Sequence, residues 1–359
     1  MKSDRRVFGR PMWILIAGLV AAAVVAIGCG GDEDTEATDQ DQSDLVAIKD
    51  YLTEHSAVLS EQTAIMLEQG ERYYELAESV DFDYDTLLKQ HGDEVDEILE
   101  TSRDTFAEAN PSYEEMEGIV AGVPRLAQYD VDIDAGADAS DPENAVSFTL
   151  DLPNGKSLKQ PGNLFFITET ALYGTNPDFL AEGVKQKFGE GIPDANVYLA
   201  AVQEFDDQAA SLDADAREFE PTPSDAFTAL TVMTPTMSEY FEAWKNSRFI
   251  AGEDAEELGF VAASRLSDIA DILEGLVFTY DEIEPMVAEE STQQAKQTRA
   301  ALEDLLVFVE DLRDREVDGK EYTAEEADTL GAEAQRQAEA IAGQVTQAAQ
   351  RLGIKLQEA

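Results

Sequence analysis

Residues 266–283 read Leu-Ser-Asp-Ile-Ala-Asp-Ile-Leu-Glu-Gly-Leu-Val-Phe-Thr-Tyr-Asp-Glu-Ile. Leu266, Ile269, Leu273, Leu276, Tyr280 and Ile283 recur at steps of three and four, the spacing of one buried helix face. Ala295, Thr298, Leu302, Leu305, Val309 and Leu312 repeat the pattern, as do Leu330, Ala334, Ala338, Ile341, Val345, Ala348 and Leu352. Glu, Asp and Gln take the opposite sides. Stripes of this kind bury against one another in antiparallel bundles. Pro285 and Asp318-Gly319 are expected to supply the breaks between them, and breaks this frequent argue against a long parallel coiled coil.

The same reading extends outward. Leu45, Ile48, Leu52, His55, Leu59 and Met66 share a helical face, and Val95, Ile98, Leu99 and Phe106 mark a second helix. Pro111 is placed to open a further one at its first turn, with Met116 and Ile119 inward. Residues 122–162 are rich in Gly, Asp and Pro. There Val146, Phe148 and Leu150 alternate ahead of the turn signal Pro153-Asn154-Gly155, which predicts a small hairpin. Helical spacing returns at Leu164–Tyr173 and from Val197 to about Leu212; Thr234-Pro235 starts another helix, with Met237, Phe241 and Trp244 inward. The expected fold is all-α: two antiparallel, four-helix-type bundles with a small irregular or hairpin insertion. They cover 45–205 and 206–359 and join between about 205 and 223.

The N-terminus carries different information. Lys2, Arg5, Arg6 and Arg10 precede an uncharged, mostly apolar run from Trp13 to Ile27, which is shorter than a spanning helix requires. That is the pattern of a signal peptide over residues 1–28. Ala26-Ile27-Gly28-Cys29 resembles a lipobox, with Cys29 as the lipidated residue. Cys29 is also the only cysteine, so no disulfide can form within the chain. An uncleaved signal anchor is the alternative. Arg5-Arg6-Val7-Phe8-Gly9-Arg10 resembles a twin-arginine export signal, with an ordinary basic leader as its alternative. Residues 29–44 are polar and acidic and read as a disordered tether. The expected location is outside the cytoplasm, in the periplasm or on the cell surface, with a lipid holding the protein to the membrane.

Asp plus Glu number 76 against 25 Lys plus Arg, a net charge of -51. Such a surface repels nucleic acid and anionic headgroups. The acids are dispersed along the chain instead of forming a tail, as in halophilic proteins, whose self-repulsion is screened by salt.

Two histidines make a Ser-His-Asp or Cys-His catalytic site improbable. His55, on an apolar face, reads as a core histidine, and His91 as a solvated one near a turn. The chain has no His-Glu-x-x-His zinc helix, P-loop or Gly-rich dinucleotide fingerprint. Carboxylates remain. Glu114 and Glu117 project from one face of a helix, an arrangement that suits a hard cation, though such pairs also arise by chance in an acidic chain. Asp130, Asp132, Asp134, Asp138 and Asp141 alternate like a calcium loop, but Ala135 fills the slot of the EF-hand glycine and Asp141 that of its bidentate Glu.

Leu164-Phe165-Phe166-Ile167-Thr168-Glu169-Thr170-Ala171-Leu172-Tyr173-Gly174 resembles the signature segment of the imelysin-like family, whose iron-uptake branch is the EfeO/EfeM group. The family pattern is roughly Gly-Phe-His-x-x-Glu-x-x-Leu-Trp-Gly. Phe165, Glu169, Leu172 and Gly174 match, Tyr173 replaces Trp, and Phe166 stands where the histidine belongs. Tyr113-Glu114-Glu115-Met116-Glu117, the stretch Gln128–Asp134 and the tail from Asp318-Gly319-Lys320-Glu321-Tyr322 to Leu352-Gly353-Ile354 resemble further family segments in the same order.

The resemblance implies two helical bundles outside the cytoplasm and a metal site in a cleft between them. Glu114, Glu117 and Asp134 would be the ligands, with Glu169 nearby as the surviving half of His-x-x-Glu. Oxygen donors without a nitrogen favour iron, with calcium as the alternative, over zinc. The implied role is delivery of the ion to a membrane permease. A non-catalytic binding or scaffold lipoprotein that has lost the metal site is the second reading. The family's older name suggests a peptidase, but without the histidine no peptidase activity is expected, and a degenerate peptidase is a third reading.

Overall fold

The computed structural model describes residues 39–135, 149–159, 161–183 and 191–357. The leader, Cys29 and most of the tether lie outside them, as do Asp138, Asp141, Val146 and Phe148.

The described chain is predominantly helical, as the stripes require. Helix α1 (Asp39–Ser79) packs on α2 (Tyr84–Val120) and on α5 (Ala195–Glu218). Leu52, Leu59 and Met66 of its stripe are fully buried; each such side chain contributes roughly 1.5–3 kcal/mol of burial free energy. Asp83 caps the start of α2 by accepting the Thr86 N–H. Pro111 does not open a new helix: α2 continues through it. Ala109, Tyr113, Met116 and Ile119 on either side are all buried. Packing on both flanks thus offsets the roughly 3 kcal/mol that an interior proline disfavours a helix. His91 is not in a turn but inside α2, at the residue where the backbone leaves helical dihedrals.

After α2 come α3 (Ala127–Asp130), a π-helical turn (Val131–Ala135), and a two-stranded hairpin of β1 (Thr149–Asp151) and β2 (Ser157–Lys159). The hairpin pairs antiparallel with Leu150 opposite Leu158, and its turn lies at the expected Pro153-Asn154-Gly155, with Gly155 in the left-handed region. Helix α4 (Leu164–Leu172) then lies on α5. Helix α5 carries the chain through residue 205, and the backbone turns at residues 219–222 before α6 (Pro223–Met233). Helix α6 is an element that sequence spacing did not reveal. Thr234–Thr236 forms a 3-10 turn, and α7 (Met237–Asn246) begins directly after it, two residues past Pro235 of the expected Thr234-Pro235 start. The short helix α8 (Arg248–Ala251) follows.

Residues Arg265–Val317 (α9) form two helical arms that meet at Ser291, which has extended dihedrals, φ -158 and ψ 96. The chain folds back there. Arg299 Nε lies 2.6 Å from Asp281 Oδ1, and the Tyr280 hydroxyl donates to the Ala295 carbonyl. In a straight helix residues 281 and 299 would be about 27 Å apart. The break expected at Pro285 therefore falls at Ser291, because a proline forfeits one helical hydrogen bond without reversing the chain.

The arm 265–290 packs on α2. A Cβ on Gly275 would meet the Glu115 carbonyl oxygen at 2.0 Å, so only glycine permits this approach. Tyr51 of α1 stacks on Phe278. A segment from beyond residue 205 thus completes the layer formed by α1, α2 and α5. The arm 292–317, α7 and α10 (Ala324–Leu352) pack together. Trp244 there is fully buried and donates its indole N–H to Glu316. No described helix is long and apolar enough to cross a membrane.

Candidate metal centre

Helix α2 delivers Glu114 and Glu117 from its buried face, 1% and 3% exposed. The π-helical turn delivers Asp134. One carboxylate oxygen from each of the three lies within 4.8 Å of the others, the only such group among the described residues. These are the three ligands that the family resemblance implied. They line a cavity of about 450 Å³ bounded by α2, α4, α7, the 130–135 segment and residues 257–268.

Asp130 and Asp134 turn inward, whereas Asp132 points away and accepts from Gln128. Residues 127–135 are helical. The described part of the aspartate-rich stretch is therefore not an EF-hand loop, which would need successive aspartates to converge on one point.

Arg265, at the start of α9, was not singled out by sequence. Its guanidinium is buried and lies 3.4 Å from Glu114, 3.3 Å from Asp268 and 3.8 Å from Asp134. It is flanked by the rings of Tyr240 and Phe260, at 4.6 and 4.8 Å, a cation–π setting that stabilises a desolvated cation. Asp268 is held from the other side by Asn110, and Asp130 by the Tyr113 hydroxyl at 2.7 Å. The Tyr240 hydroxyl donates to Glu117 Oε1, while Glu117 Oε2 is buried and accepts no hydrogen bond from the protein.

Five carboxylates, those of Glu114, Glu117, Asp130, Asp134 and Asp268, share the cavity with one guanidinium and leave excess negative charge away from water. Burial, then neighbouring Asp268, pushes Glu114 well above the usual carboxylate range, even with Arg265 opposing it. Burial pushes Asp134 up to about 7 against the same guanidinium. Asp130 is raised by burial and by Glu117. Burial works to lower Arg265, but the carboxylates of Glu114, Asp134 and Asp268 more than offset it, and the guanidinium stays charged. A cation entering the cluster would relieve this imbalance.

Glu169 lines the same cavity, but its oxygens are engaged differently. They accept the backbone N–H groups of Phe260, Val261 and Ala262 at 2.7, 2.7 and 2.8 Å. Burial raises it to about 7, against those three hydrogen bonds. Phe260 has φ 54, a conformation that costs a bulky residue about 1–3 kcal/mol, and the Glu169 carboxylate fixes the loop in it. Glu169 thus seats the loop that puts the Phe260 ring against Arg265. Phe166 lines the same wall one helical turn before Glu169 and adds only ring carbon to it. His55 lies elsewhere, between α1 and α2, with Nδ1 2.9 Å from Glu115.

Arg265, Tyr240, Phe260 and Asp268 come from segments remote in sequence, and none carries a local motif. The one available signal was an arginine opening an apolar-striped helix in a chain with 25 basic residues to 76 acidic ones.

Fold and centre together define a helical protein whose cavity gathers carboxylates from three chain segments around a single buried arginine. Residues 39–351 match the family model described as Imelysin, peptidase family M75. The match spans most of the chain, which belongs to the imelysin family. No curated protein matches it.

Proposed function

We propose that this chain is an extracytoplasmic, metal-binding imelysin of the EfeO/EfeM type, anchored through a lipid on Cys29, which captures iron as cargo and passes it to a membrane permease. The observation that carries this reading is the convergence of Glu114, Glu117 and Asp134 within 4.8 Å inside a cavity. Carboxylate oxygens are hard donors suited to hard cations, and the unpartnered Glu117 Oε2 offers a lone pair to one. No histidine or thiol joins this group among the described residues, which disfavours zinc and leaves calcium as the competing ion. The reading involves no catalysis, so a panel of peptides is expected to remain uncut. The dispersed acidity fits a protein working in high salt.

The test is calorimetry of the lipid-free chain beginning after Cys29, in high salt, with chelated ferric, ferrous, calcium and zinc ions compared. One saturable site that Glu117→Ala removes supports the reading. Weak multi-site binding, indifferent to that change, supports the second one: a scaffold lipoprotein whose metal site is lost. That alternative draws on Phe166 at the histidine position and on Arg265, which already neutralises part of the cluster.

A further inference from the structure

Arg265 presents two edges. Nη1 is engaged by Glu114 and Asp268. The Nε–Nη2 edge, the one that grips a carboxylate with two parallel bonds, holds nothing closer than Asp134 Oδ2 at 3.8 Å, and Nε is buried without an acceptor. An unpartnered buried guanidinium N–H is costly. Within the same cavity Glu117 Oε2 is a buried acceptor without a donor. One wall therefore lacks a cation and another lacks an anion. A bare ion would answer only the first.

The coordination count points the same way. Three carboxylates reach six oxygens only if all of them bind bidentately, so a hard cation, which commonly takes six or more, has room for a further oxygen donor. The cavity, at about 450 Å³, is far larger than an ion requires. Nη2 of the Arg265 edge lies 3.8 Å from Asp134 Oδ2, so an oxyanion seated on Arg265 would neighbour an ion held by Asp134.

Building on the metal-binding reading above, we propose that the site takes its metal together with a small planar oxyanion, a carbonate or a carboxylate. The anion sits on the Nε–Nη2 edge of Arg265 and completes the metal's coordination. Arg265 is then the anion anchor, and the rings of Tyr240 and Phe260 hold its plane.

The test is titration of the lipid-free mature chain with ferrous iron, without oxygen and at fixed potassium chloride. It is run in carbonate-free buffer, then with bicarbonate, then with citrate equimolar to the metal. The expected result is affinity tightened about tenfold or more by one of these anions, with one anion bound per metal. Bicarbonate alone acting identifies inorganic carbonate; citrate alone acting identifies the carboxylate of a chelated ion. In Arg265→Lys, which keeps the charge but loses the two-bond edge, the anion effect should fall below about threefold, whatever happens to metal-only binding. Because the wild-type comparison needs no variant, a folding defect in the lysine form does not spoil it. Saturable iron binding that neither anion changes by more than twofold overturns this inference and leaves the metal-binding reading standing. Absence of saturable binding in every buffer overturns both.

Discussion

The hydroxyl of Tyr240 donates to Glu117 Oε1 over 2.7 Å, joining helix α7 to helix α2 across 123 residues of chain. The bond occupies one oxygen of Glu117 and leaves the other buried without a hydrogen-bond partner. Groups that orient a ligand in this way commonly govern metal affinity as much as the ligand itself.

Tyr240→Phe keeps the ring against Arg265 and removes the hydroxyl that holds Glu117. Metal affinity is expected to fall by about 10–100-fold, and stability by about 1–3 kcal/mol because the buried Glu117 loses its donor. Calorimetry and urea unfolding read the two effects separately. Unchanged affinity would mean that Glu117 is positioned by packing alone.

Arg265→Met leaves Glu114, Asp134 and Asp268 without their shared counter-ion. Removing one partner of a buried charge cluster typically costs about 3–5 kcal/mol. The loss should appear in urea unfolding of the metal-free protein at pH 8 and shrink at pH 5, where the carboxyls can protonate. A loss that is the same at both pH values would show that the arginine acts by packing.

Glu169 and the proposed ligands make different predictions. Glu169→Ala deletes the acceptor of three backbone N–H groups, so hydrogen exchange at Phe260, Val261 and Ala262 should accelerate strongly. Hydrogen bonds to a charged group contribute about 1.5–3 kcal/mol each where they are buried. Metal affinity should fall less than in Glu117→Ala. Equal losses in the two variants, with the loop still protected, would make Glu169 a ligand.

Stability of the metal-free protein depends on pH with a definite sign. Glu169 is raised by burial from 4.5 to about 7, and Asp271 by burial and by Asp268, Glu115 and Glu274 from 3.8 to about 7. Between the unfolded and folded values the folded chain binds more protons than the unfolded one, so stability falls as pH rises through that window. The urea midpoint should therefore increase on going from pH 8 to pH 5. A midpoint that drops over that range would contradict the assigned environments.

Much of this was written in the chain. The stripes of 266–283, 295–312 and 330–352 gave helices with the expected inward faces, because a one-sided apolar repeat has few other ways to be buried. Glu114, Glu117 and Asp134 were legible only through family-like segments, since one pair of acids in so acidic a chain carries little weight. The break at Ser291 was hidden because Pro285 offered a stronger local signal nearby. Helix α6 was hidden too: in Pro223–Met233 the apolar and small residues lie on several faces, which gives no clean period. Arg265 and Phe260 were invisible because their meaning depends on a fold-back that brings residues about 150 positions apart into one cavity.

The most direct measurement is anomalous diffraction at the iron absorption edge from crystals of the mature chain grown with iron. A single peak within coordination distance of Glu114, Glu117 and Asp134 is the predicted result. Peaks scattered over surface acids, with none among those three residues, would contradict the account.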